Sequence, residues 1–253
     1  MLALLGWAGT EPSAAAKVKL HSIGDSTMQT YDESTDKRGW GQMLQQFFDS
    51  DYVTVNNRGK SGASSKSFYL ESSFWPTMVA EKSSSTTIEE GDFLIIQFAH
   101  NDEKNQGMDG DSVKAYYTAQ GDATTASATD YRGTTAYGTF KKYIRAYIDE
   151  CKARGGKPVI VTPICRKYFS GTTAIRRNGM HDLGDSFSKL SESGILTGQS
   201  VPSTDNTYDY AQALIDVAAE YEDVPVIDIT QLTAEMYVKY GEAFCTASLF
   251  CSD

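Results

Sequence analysis

Three short segments carry the residue types that could do chemistry. Ser22-Ile23-Gly24-Asp25-Ser26-Thr27-Met28 ends a short apolar run in a small, flexible Gly-Asp-Ser turn. Such a turn lifts a hydroxyl into the rim of a parallel α/β sheet, where ligands bind outside the carboxyl ends of the strands. Asn56-Asn57-Arg58-Gly59-Lys60-Ser61-Gly62-Ala63-Ser64-Ser65 follows a second apolar run, and Phe98-Ala99-His100-Asn101-Asp102 closes a third. Together these types suit acyl transfer. Ser26 is the candidate nucleophile, which needs a base. The N–H of Ser26, the N–H of Gly62 and the side-chain amide of Asn101 would be three donors for a developing oxyanion. Glycine lets a substrate oxygen approach the main chain closely. Each segment alone is a common turn; their order after successive strands carries the reading.

The elements that must position them are legible in the apolar pattern. Val18–Ile23, Tyr52–Val55, Phe93–Phe98, Pro158–Thr162 and Val224–Ile229 have strand character, and four of them are nearly continuous in Val, Ile, Leu and Phe, as strands buried on both faces should be. Between them lie amphipathic, helix-like stretches. Trp40–Phe48 places Trp40, Met43, Leu44, Phe47 and Phe48 on one face. Phe140–Arg154 does so with Tyr143, Ile144, Tyr147 and Ile148, and stops at Gly155-Gly156. Tyr208–Tyr221 does so with Ala211, Leu214, Ile215, Val217 and Ala218. The alternation predicts one three-layer α/β/α domain around a five-stranded parallel sheet, covered on both sides. Residues 103–138 and 182–206, rich in Gly, Ser, Thr, Asp and Asn, interrupt the alternation as insertions. They read either as walls of a cleft or as plain surface loops.

Composition limits the partners. The chain has 253 residues and a formal net charge of −10, which argues against nucleic acid and against tight binding to anionic membranes. An acidic glycan could still bind through a local basic pocket. No apolar run reaches the roughly 18 residues that would span a membrane. Residues 1–16, with a short apolar stretch and the small residues Ala14-Ala15-Ala16, resemble a secretory-signal remnant or a disordered leader. A secreted or periplasmic location is therefore expected, and a monomer. Cys151, Cys165, Cys245 and Cys251 lack metal-ligand spacing. Cys245 and Cys251 are near enough in sequence to bridge, while Cys151 and Cys165 read as small buried hydrophobes.

The ordered blocks resemble the SGNH (GDSL-like) hydrolases, a flavodoxin-like fold, and within them the rhamnogalacturonan acetylesterase branch of carbohydrate esterases. The resemblance rests on Ile23-Gly24-Asp25-Ser26-Thr27-Met28, then Gly39-Trp40-Gly41, then Gly62, Ser64, Lys66, Ser67 and Phe68. It continues in Gln97-Phe98-Ala99-His100-Asn101-Asp102, Thr162-Pro163 with Arg166, and Asn178-Gly179-Met180-His181-Asp182. It spans residues 17–253 apart from the insertions. In the third block the branch usually has Gly where this chain has Ala99. The resemblance implies Ser26 as nucleophile, with Ser26, Gly62 and Asn101 as the oxyanion hole. It further implies a final Asp-x-x-His block in which the histidine is the base and the aspartate orients it. Leu249-Phe250-Cys251-Ser252-Asp253 places Asp253 as that aspartate, and the sequence given ends before the histidine.

The activity so implied is removal of O-acetyl groups from a plant cell-wall polysaccharide of pectin or rhamnogalacturonan type, through an acetyl-serine, with no cofactor or metal. Other acylated glycans, lipids, and a non-catalytic carbohydrate-binding relative remain open. His181, oriented by Asp182 or Asp185, is an alternative base or a substrate contact; His100 reads as structural and His21 as packed within a strand. Arg166, Lys167, Arg176 and Arg177 form a basic cluster that could meet a uronate carboxylate or be a solvated loop. Of the aromatics Tyr31, Trp40, Trp75, Tyr168 and Phe169, the last two are the candidates for stacking on sugar.

Overall fold

The computed structural model describes residues 17–103, 132–134, 136–172, 174–183, 195–196 and 209–250. Its sheet contains β1 (Val18–Gly24), β2 (Val53–Asn57), β3 (Phe93–Gln97), β4 (Lys157–Val161) and β8 (Val226–Ile227) in the order β2-β1-β3-β4-β8, every pair parallel. This is the doubly wound order with its topological switch between β1 and β3, the place where such sheets bind ligands. The five strands foreseen in the sequence are all present. A small antiparallel sheet of β5 (Phe169–Ser170), β6 (Ala174–Arg176) and β7 (Ile195–Leu196) stands apart from it.

One face of the main sheet is covered by α1 (Ser65–Leu70), α2 (Trp75–Met78), α3 (Lys141–Ala153) and α4 (Tyr210–Ala218). The 3.6-residue period turns Tyr143, Ile144, Tyr147, Ile148 and Cys151 of α3 inward, onto Ile23, Leu94, Ile96 and Phe98 of the strands. Trp75 meets Tyr147 edge to face, and Phe98 stacks on the same Tyr147 ring. Truncating Tyr147 would open a cavity costing about 3–5 kcal/mol. Cys151 and Cys165 are buried as expected, and burial pushes both thiols up to about 12.

The other face is more thinly covered. Trp40–Phe47 forms a 3-10 helix, not an α-helix, and three residues per turn spread the expected apolar face. Trp40 and Leu44 pack on Leu20, Met28, Ile95 and Val161, but Phe47 is left 74% exposed. Helix α5 (Ile229–Ser248), broken at Gly241 where φ is +78°, starts beside this face and then leaves it to pack with β5 and β6 around Phe169, Ile175, Ala234, Tyr237 and Cys245. Phe169, expected to stack on sugar, is therefore core; Trp75 is core as well. Cys245 is a buried thiol, and Cys251 lies outside the described residues. Most of both insertions lies there too, though their ends do not: Thr134, Ala136, Asp182 and Leu183 are buried.

Candidate active site

The Ser26 turn is shaped by its neighbours. Asp25 accepts from the N–H of Thr27 at 2.9 Å and from its hydroxyl at 2.8 Å, an Asx turn that bends the chain around Ser26. The Tyr31 hydroxyl donates to the Ser26 carbonyl at 2.8 Å, and Trp40 N–H donates to the Thr27 carbonyl at 2.9 Å. Gly39 must be glycine for this, because a Cβ there would overlap the Gln29 carbonyl. The Gly39-Trp40-Gly41 signature is thus a packing requirement of the Ser26 turn. Asp25 is fully buried with one carboxylate oxygen unpartnered, and burial raises its pKa.

The second segment runs alongside. Arg58 N–H donates to the Ser22 carbonyl at 2.8 Å and Lys60 N–H to the Gly24 carbonyl at 2.9 Å, so the loop tracks β1 to its end. At Gly62 the chain turns through φ +77°, a left-handed conformation natural to glycine. Helix α1 then begins with a reciprocal cap between Ser64 and Ser67. The third segment closes the rim. Asn101 donates its side-chain N–H to the Ala63 carbonyl at 2.9 Å. An amide has two such hydrogens, so one remains for a ligand beside Gly62. Among the described residues, neither the N–H of Ser26 nor that of Gly62 donates to another main-chain carbonyl. The geometry thus brings Gly62 and Asn101 together beside the Ser26 turn, at the switch between β1 and β3.

Asp102 is the hidden brace. Its carboxylate accepts from the Ser65 hydroxyl at 2.6 Å and the Thr134 hydroxyl at 2.9 Å, tying α1 to the segment that resumes after the first insertion. Burial pushes it up to about 7.

The histidines are engaged elsewhere. His21 is fully buried between Asn56 at 2.8 Å and Asp92 at 3.4 Å, as expected for a strand residue. His181 differs from its expected role as substrate contact or base. Its ring is completely buried, with Nδ1 on the Glu103 carboxylate at 2.5 Å and Nε2 on the Ile164 carbonyl at 2.8 Å. Neither nitrogen is left for sugar or serine. His100 points Nε2 at the same carbonyl, 3.0 Å away, and packs against His181 with ring centroids 4.5 Å apart. Burial, then the charges of His181 and Arg166, hold His100 well below the usual histidine range. No described side chain hydrogen-bonds the Ser26 hydroxyl, and Asp253 lies outside the described residues.

Arg166 is also spent internally. It bonds the Glu103 carboxylate at 2.8 Å and the His100 carbonyl at 3.0 Å, and its guanidinium lies 5.8 Å from the Tyr168 ring centroid. Tyr168 is 45% exposed. Arg177 pairs with Asp182 at 2.7 Å. Arg166 and Arg177 of the basic cluster are therefore structural. Sequence reasoning missed Glu103, the hub of this buried group. Its signal was adjacency to His100-Asn101-Asp102, which the insertion boundary at 103 concealed.

A profile of the GDSL-like lipase/acylhydrolase family matches residues 22–244. This chain belongs to that family. Its members are carboxylic ester hydrolases, and the match spans the Ser26 turn, the Gly62 loop and the Asn101 segment. The chain is also similar to the rhamnogalacturonan acetylesterase RhgT of Bacillus subtilis, 29% identical over 225 residues covering 88% of this chain and 70% of that protein. A probable rhamnogalacturonan acetylesterase, YesY of the same organism, is 26% identical and covered to 75%. Among solved structures, the B. subtilis protein YXIM shares the fold with a TM-score of 0.59 at 19% identity; 91% of this chain matches 49% of that one, about half its length. Among the described residues, no helix is long and apolar enough to cross a membrane.

Proposed function

We propose that this protein is a serine esterase that removes O-acetyl groups from a pectic polysaccharide of rhamnogalacturonan type. The observation that supports the proposal is the Asn101–Ala63 hydrogen bond, which ties the end of β3 to the loop that carries Gly62 and leaves the amide a second hydrogen to donate. The Ser26 hydroxyl attacks the acetyl carbonyl and gives its proton to a base. The oxyanion takes hydrogen bonds from Ser26 N–H, Gly62 N–H and Asn101. The sugar leaves as an alcohol, reclaiming that proton, and water releases acetate from the acetyl-serine by the same route. The occupied ring nitrogens argue that the base is not His181. The relatives' names support the choice of glycan, and export fits a polymeric substrate outside the cell.

The test is acetate release from acetylated rhamnogalacturonan and from p-nitrophenyl acetate, by this chain and by Ser26→Ala. Turnover lost on Ser26→Ala supports the proposal, whereas equal turnover by both forms rejects Ser26 as nucleophile. A second reading is glycan binding without turnover, since His21, His100 and His181 are each engaged with partners other than the Ser26 hydroxyl. Binding of the polymer with no acetate released by either form would select it.

A further inference from the structure

We propose that Arg132 reads a carboxylate on the substrate, so that the site takes an acidic, uronate-bearing glycan in preference to a neutral one. This deepens the esterase reading and rests on it for where the acetyl group sits. Two arginines of the basic cluster at 166–177 are already held in ion pairs, Arg166 by Glu103 and Arg177 by Asp182. Arg132 differs. Its guanidinium makes no ion pair or hydrogen bond with another described residue. One terminal nitrogen lies 3.8 Å from where a Cβ on Gly62 would stand. A half-buried positive charge therefore overhangs the glycine whose N–H faces the reacting oxygen.

Its placement is fixed from below. Two residues on, Thr134 is fully buried and donates its N–H to the Asp102 carbonyl at 3.1 Å and its hydroxyl to the Asp102 carboxylate at 2.9 Å. Asp102 adjoins Asn101, so one buried anchor positions both the amide donor and the guanidinium. The contact lies on the side-chain side of Gly62, where the charge can meet a neighbouring group of the substrate. A planar guanidinium matches a carboxylate in bidentate fashion. In a chain of net charge −10, the far field repels an anionic polymer, and binding one requires such a local cation.

The test is calorimetric titration of unacetylated oligogalacturonate, and of a xylo-oligosaccharide of equal length, into Ser26→Ala and into the same chain carrying Arg132→Met or Arg132→Lys. Thermal melting verifies that each variant is folded. The parent should prefer oligogalacturonate. Arg132→Met should weaken that binding about tenfold to a hundredfold with little effect on the neutral sugar, and Arg132→Lys should recover part of it. Equal affinity of the parent for both sugars, or an equal loss on both in Arg132→Met, overturns the proposal. Turnover of p-nitrophenyl acetate by the Ser26 form is scored separately. Its absence would defeat the esterase reading while the preference for charge is still measured.

Discussion

The Asn101 side chain donates to the Ala63 carbonyl at 2.9 Å, so the end of β3 grips the loop that carries Gly62. That amide braces the rim, and the proposed mechanism assigns its second hydrogen to the oxyanion. Asn101→Ala removes both. It should lower kcat on p-nitrophenyl acetate by about 10²–10³, with KM nearly unchanged. It should also cost about 1–3 kcal/mol of stability, because the Ala63 carbonyl loses its partner. Steady-state kinetics alongside urea unfolding separates the two effects. A loss confined to stability would remove Asn101 from the oxyanion hole.

Glu103 sets the charge balance of the buried group. Burial alone would raise its pKa, but the adjacent His181 and Arg166 charges outweigh burial and hold it down at about 2. A carboxylate with a depressed folded pKa stabilises above its unfolded value, and that contribution disappears as pH falls towards the folded one. Glu103→Gln should therefore cost about 3–5 kcal/mol at pH 7, since it strands buried cations. The gap between variant and parent should narrow as pH drops from about 4.5 towards 2. Urea midpoints at pH 7 and pH 3 measure it; a gap that ignores pH would contradict the account.

Ala99 stands one residue before His100 with φ +154°, buried to 1%. Residues other than glycine pay about 1–3 kcal/mol in such sparsely populated backbone regions. Ala99→Gly relieves that strain and gives back about 0.4–1 kcal/mol through the freer unfolded chain. A net gain of about 1 kcal/mol is expected. A lower urea midpoint for Ala99→Gly would show that Ala99 is unstrained.

The strand ends were the legible part of this chain. Phe93–Phe98 and Pro158–Thr162 are nearly continuous in apolar residues, so the strands and their parallel pairing follow from pattern. Ser26, Gly62 and Asn101 could be named because each follows a strand directly. What pattern does not encode is which polar residues turn inward. His181, Arg166 and Glu103 look like loop residues by type, yet they satisfy one another in the interior, as buried polar groups must. Phe169 looked like a rim aromatic because two-residue strands leave no period to show which way a side chain faces. Arg132 went unnoticed inside a stretch read as insertion, since its meaning comes from Gly62, seventy positions away.

Asp209 supplies a pH response of the opposite sign to Glu103. It caps α4, accepting from Gln212 N–H at 2.8 Å. Burial, reinforced by the neighbouring Asp182, pushes it up to about 7. A raised carboxyl keeps its proton in the folded state after the unfolded chain has lost it, so folding weakens as pH rises from about 4 to about 7. Asp102 and Asp25 are raised in the same direction. Asparagine caps a helix as well as aspartate does and does not titrate. Asp209→Asn should therefore leave the urea midpoint at pH 4 nearly unchanged, raise it at pH 7.5, and flatten the slope between. A variant destabilised equally at both pH values would mean that the cap needs the charge and that Asp209 does not carry the slope.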